Sequence, residues 1–99
     1  MAIGGEAISF QRMSLKETFL KAAKVVQTLP KRPANDELLE LYGLYKQSTE
    51  QDVQGARPGF LDVQGRAKFD AWARKKGIAS DVAMQEYVAL VERLKKKYL

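Results

Sequence analysis

After residue 13, apolar residues recur every three or four positions along most of the chain, and no segment alternates as a strand would. Leu15, Phe19, Ala22, Ala23 and Val26 form the first helical stripe. Ser14 with Glu17 three residues later makes a capping box ahead of it, and "LPKRP" stops the helix near Leu29. A second helix is predicted from Asn35 or Asp36, whose side chains suit a helix start. Its principal stripe is Leu38, Leu41, Tyr42 and Tyr45, with Leu39 and Leu44 on the flanks, and it fades near Ser48 or Thr49. Residues 50–64 are polar and broken by Gly and Pro, a long loop of the kind that often carries function. A short third helix is expected from about Gly65 to Lys76, with Gly77 as its stop. The last starts near Ser80 or Asp81 and has the clearest stripe: Met84, Tyr87, Val88, Val91, Leu94 and Tyr98. The pattern predicts an all-α protein of four helices with a long loop between the second and third. Residues 1–13, "MAIGGEAISFQRM", hold no period and are read as a flexible extension before a domain at 14–99, with Met13 a candidate start.

Composition narrows the chemistry. The 99 residues support one core and contain neither cysteine nor histidine. Disulfides, thiolate zinc sites, histidine metal ligands and histidine-based triads are thereby excluded. A cysteine-free chain without a signal peptide fits the cytoplasm, and no apolar run approaches the ~20 residues that span a bilayer. No carboxylate is paired with a nucleophile, and no Gly-rich phosphate loop appears. Glu50, Asp52 and Asp62 do not follow the spacing of a calcium loop. The chain is therefore read as a non-enzyme with no cofactor and no metal. Its net charge of +5 points to an anionic partner.

Tyr42, Tyr45 and Lys46 stand at i, i+3 and i+4 and so share a helix face. In an arbitrary helix such tyrosines pack into the core and the lysine lies along its edge. The same set also offers π faces, hydroxyls and a cation, which together can stack on a base and pair with phosphate. Lys68, Phe69 and Trp72 repeat the mixture on the third helix, with Trp72 the strongest candidate for pure core, and Tyr87 adds another polar aromatic. Arg93, Lys95, Lys96 and Lys97 resemble a binding patch, but cations in a last helical turn are explained by the helix dipole. A nucleic-acid-binding domain is disfavoured because acids are interspersed with the bases and no recognition helix stands out. A protein-interaction bundle without a small ligand remains open on these patterns alone.

Three segments, "DELLELYGLYKQST", "ARPGFLDVQGRAKFDAW" and "AMQEYVALVERLKKKY", resemble the acyl-CoA-binding protein family, in order and across Ser14 to Tyr98. The resemblance implies an up-down-down-up four-helix bundle, a monomer that holds a long-chain acyl-CoA such as palmitoyl-CoA without altering it. It implies an intracellular carrier and pool former that meets acyl-CoA-using enzymes or membranes transiently and binds no nucleic acid. By the same resemblance Tyr42, Tyr45, Lys46, Lys68 and Tyr87 hold the nucleotide and phosphates, with Lys46 on the 3′-phosphate. Phe19, Ala23, Leu38 and Leu39 line the acyl groove, and Gln27, Arg32 and Gln64 are auxiliary. Arg57, Pro58 and Gly59 shape the loop. Gln27 stands where animal members carry lysine, Gln64 where a base is frequent, and Phe69 where they have tryptophan.

Overall fold

A computed structural model describes residues 13–99; the expected extension lies outside them except for Met13. Four helices follow: α1 Leu15–Val26, α2 Asn35–Glu50, α3 Val63–Ala73 and α4 Ser80–Tyr98. No strand occurs among the described residues.

Local chemistry sets their limits. Ser14 Oγ accepts the Glu17 N–H at 3.1 Å while the Glu17 carboxylate accepts the Ser14 N–H at 3.0 Å, closing the box at α1. That helix ends three residues before the expected Leu29. A residue preceding proline disfavours helical geometry, and Thr28 already donates to the Val25 carbonyl in a tighter turn. The cap of α2 is Ala34 rather than Asn35 or Asp36; Glu37 reaches back to accept the Ala34 N–H at 2.8 Å. α3 starts two residues earlier than its pattern suggested, because the Asp62 carboxylate accepts the Gly65 N–H at 2.9 Å and caps it. Its C-terminal end unwinds in short turns through Lys76 to Gly77, whose φ of +90° glycine adopts freely.

The helices pack in the order α1–α4–α2–α3. Glu37 meets Lys97 and Tyr98, while Gln47 meets the carbonyl of Ile78, so α2 and α4 run antiparallel. Tyr42 faces Lys68 and Lys46 faces Trp72, so α2 and α3 run parallel. Phe19 lies against Tyr87, and residues 21–25 border residues 88–95, so α1 and α4 are parallel too. This is the up-down-down-up arrangement.

The core joins Phe19, Ala22, Leu41, Leu44, Tyr87, Leu90, Val91 and Leu94. The α2 stripe departs from expectation. Leu44, placed on the flank by periodicity, is only 2% exposed, whereas Tyr45 is 39% exposed. α2 is covered on two sides, by α4 and by α3, so no single stripe describes its burial. The α3 contact is unusually close: a Cβ on Gly43 would lie 2.5 Å from the Ala71 carbonyl oxygen. Beside this seam, Trp72 donates its indole N–H to the Gln51 carbonyl at 2.7 Å. Asp52 accepts from Gln47 and from the Gly77 N–H, and Arg57 grips Asp70 through two bonds of 2.9 and 2.8 Å. These contacts fasten the long loop to α3 and to the turn that follows it.

Candidate functional site

Parallel packing of α2 and α3 opens a groove between their N-terminal halves, with a volume of about 450 Å³. Leu38, Leu39 and Tyr42 supply one wall, Val63, Gln64, Ala67 and Lys68 the other, and Arg32 and Asn35 close one end. Helical spacing accounts for both walls, because residues one turn apart face the same way. No Asp or Glu lines it. Two cations over an apolar floor make the groove suited to a ligand with an anionic part and an oily part. Leu38 and Arg32 also border a second hollow of about 370 Å³ beside Val26, Gln27, Leu29 and Leu41, so apolar surface continues towards the end of α1.

The residues singled out in the sequence divide into groups. Leu38, Leu39, Tyr42, Lys68, Arg32 and Gln64 come together in the groove. Lys68 holds its ammonium 5.3 Å from the centre of the Tyr42 ring, an arrangement favoured by the ring's negative face. Lys46 lies one turn beyond Tyr42, outside the groove. Its ammonium sits 4.7 Å from the Trp72 ring centre and pairs with Glu50.

Tyr45 turns to the other side of α2. Its ring stacks on Phe19 at 5.5 Å and lies 6.1 Å from Tyr87, and Phe19 meets Tyr87 edge-on at 5.0 Å. Phe19 and Tyr87 are 1% and 4% exposed, so both are core in this structure. Burial, with Tyr45 nearby, pushes the Tyr87 hydroxyl up to about 12, which keeps it a neutral hydrogen-bonding group. Ala23 is half-buried against the core, and Gln27 ends α1 and borders the second hollow. Asn35, Val63 and Ala67 line the groove without having been singled out. Ala67 immediately precedes Lys68 and Val63 lies one turn before Ala67, a signal that becomes readable once the parallel α2–α3 pairing is known.

Two of the four C-terminal cations are engaged structurally: Lys97 donates to Glu37 at 2.8 Å and Lys95 to Glu92 at 3.3 Å. Asp52 and Asp62 are likewise occupied, by Gln47 and Gly77 and by the α3 cap. No group of three metal-ligating side chains occurs among the described residues, nor any helix long and apolar enough to cross a membrane.

Fold and groove together define an all-helical binding bundle whose site faces outward between two parallel helices. The family model described as "Acyl CoA binding protein" matches residues 16–91, and the chain belongs to that family. It is 48% identical over 84 residues to the acyl-CoA-binding protein homolog of Drosophila melanogaster, covering 85% of this chain and 98% of that one. Identity to acyl-CoA-binding protein homolog 1 of Caenorhabditis elegans is 52% over 81 residues, covering 82% and 94%. Among solved structures, Oryza sativa acyl-CoA-binding protein 2 superposes with a TM-score of 0.82 at 38% identity, over 89% of this chain and 96% of that one. The ACBP of Moniliophthora perniciosa gives a TM-score of 0.80 at 43% identity, over 87% and 84%.

Proposed function

We propose that this protein binds long-chain acyl-CoA esters without chemical change and carries them through the cytoplasm as a monomer, exchanging them with acyl-CoA-using enzymes and membranes. The observation that carries this reading is the acid-free groove, in which Lys68 and Tyr42 adjoin the apolar surface of Leu38 and Leu39. An acyl-CoA pairs a highly charged head with an oily tail, and the groove pairs the same two chemistries.

In this reading Tyr42 offers its ring to the adenine, and Lys68 and Lys46 pair with the phosphates, Lys46 with the 3′-phosphate. Charge-assisted hydrogen bonds fix the head group. Tyr45, Tyr87 and Phe19, clustered on the other side of α2, back the helix that carries Tyr42 and Lys46. The tail lies along Leu38 and Leu39 and continues over the hollow at the end of α1, near Gln27 and Ala23. Each tail methylene removed from water contributes about 0.8 kcal/mol, so affinity grows with chain length until the apolar surface ends. Arg32 and Gln64 flank the ligand, and the glutamine leaves that position uncharged.

Titration calorimetry with palmitoyl-CoA, CoA and palmitate tests the reading. The ester should bind far more tightly than either part. Equal affinity for palmitate and palmitoyl-CoA would remove the phosphate anchor and the proposal with it.

A further inference from the structure

Phe60, Leu61 and Val63 are 74%, 85% and 73% exposed, three large apolar side chains within four residues. They do not belong to a loose strand. The Asp62 N–H donates to the Gly59 carbonyl at 2.9 Å, closing a tight turn with Phe60 and Leu61 at its two central positions. The Arg57–Asp70 pair fastens the approach to this turn, and the Asp62 cap fastens its exit onto α3. The two side chains therefore form a fixed apolar tip, and Val63 connects it to the mouth of the groove.

The charge beside the tip is mixed at the turn and positive towards the groove. Asp70 is paired with Arg57, whereas Asp62 caps α3 through a backbone N–H, which leaves its carboxylate without a cation partner among the described residues. Arg32 and Lys68 have no carboxylate within 4.0 Å among the described residues, and both line the groove that Val63 borders, which no Asp or Glu lines. Three side chains offer roughly a few hundred Å² of apolar surface, well below the ~800 Å² per partner of a stable protein interface. A small apolar wedge beside a basic groove mouth is instead the form in which a surface binder enters the headgroup region of a membrane.

We propose that the Phe60–Leu61 turn is a docking tip for anionic lipid surfaces, setting the groove mouth against the bilayer from which an amphiphilic ligand enters. The last clause rests on the acyl-CoA reading; the docking itself does not. The test is co-sedimentation of the protein alone, without acyl-CoA, with vesicles of phosphatidylcholine and phosphatidylserine, compared with phosphatidylcholine only. Wild type should partition onto the anionic vesicles, less onto neutral ones, and less again as salt is raised.

The Phe60→Ser/Leu61→Ser double variant should lower that partitioning by about tenfold. Its calorimetric affinity for palmitoyl-CoA in solution should be unchanged, since neither side chain lines the groove. Equal partitioning of variant and wild type, as for a patch reserved for a protein partner, would overturn the proposal, as would failure of wild type to bind anionic vesicles. Loss of palmitoyl-CoA affinity in the variant would place the pair in the ligand site and overturn it too. A failed calorimetric test of palmitoyl-CoA with intact vesicle binding would sink only the acyl-CoA reading.

Discussion

The Lys68 ammonium lies 5.3 Å from the centre of the Tyr42 ring, so the groove's cation and its aromatic face form one unit bridging α3 and α2. A phosphate drawn to that ammonium arrives beside a ring on which a base can stack. Lys68→Ala should weaken CoA and palmitoyl-CoA by the same factor, roughly tenfold or more, because the cation meets the head and not the tail. Calorimetry with the two ligands checks this. A loss confined to the long ester would assign Lys68 to the acyl path.

Lys46 has two neighbours that a ligand must contend with, the Trp72 ring and the Glu50 carboxylate. Lys46→Ala should cost ~1.5–3 kcal/mol of acyl-CoA affinity, as expected for a hydrogen bond to a charged group. Most of that cost should vanish for the 3′-dephospho ester. Loss of the contact with Trp72 should lower stability by about 0.5–1 kcal/mol. Glu50→Gln removes the competing carboxylate and should raise affinity about two- to fivefold, and the gain should disappear in the Lys46→Ala background.

Leu39 and Leu38 both line the groove, but only Leu38 also packs against the core. Leu39→Glu should therefore leave the thermal transition nearly in place while weakening long-chain esters more than short ones. Affinities for a series of chain lengths provide the check. A uniform loss with the fold intact would put the tail elsewhere.

At Gly43, two effects of a substitution to alanine oppose each other. Alanine in a helix interior is favoured over glycine by about 1 kcal/mol. The new methyl would nevertheless stand 2.5 Å from the Ala71 carbonyl oxygen, a backbone atom that cannot swing aside. The clash should win by ~1–3 kcal/mol, Tm should fall by several degrees, and acyl-CoA affinity should fall as the groove wall moves. Denaturant unfolding and calorimetry on one variant give both numbers.

Glu37 joins the start of α2 to the end of α4. The Lys97 ammonium, then the Tyr98 hydroxyl at 2.5 Å and the Ala34 N–H, hold its carboxyl down from 4.5 to about 2. A depressed acid stabilises the fold above its unfolded pKa and loses that effect as pH falls through the folded value. Stability should thus decline between pH 4.5 and about 2, and Glu37→Gln should flatten this part of the profile. An unchanged acid limb in the variant would assign the decline to other carboxylates.

Much of this was legible in the sequence, because stripe and cap are local properties. The Ser14–Glu17 box and the Met84–Tyr98 stripe each appear in the structure as the pattern implied, whereas α3 ends at Ala73, three residues before the expected Lys76, and Gly77 closes the turns that follow it. The start of α3 was less legible: Val63 is apolar yet exposed, so it carries no period, and Asp62 reads as loop until its capping bond is seen. Gln47 could not be read at all. It is 1% exposed and donates to Asp52 and Ile78, but nothing in its neighbours marks a polar residue as core. The separation of Tyr42 from Tyr45 follows from having different helices on the two sides of α2. Spacing along one helix gives the angle between two side chains, not what waits on each side.

Among the described helices, α3 packs on α2 alone, and its fastenings gather at one end: Asp70 to Arg57, Trp72 to Gln51, Gly77 to Asp52. The Gly43 seam lies at that same end, and the groove at the other. The pair of helices is built like a clothes-peg, with its spring beside Trp72 and its jaws at Leu39 and Gln64. Such a device can admit cargoes of different thickness by small changes at the jaws while the spring keeps their alignment. Opening at the jaws would release a cargo while the fastenings beside Trp72 stay in place.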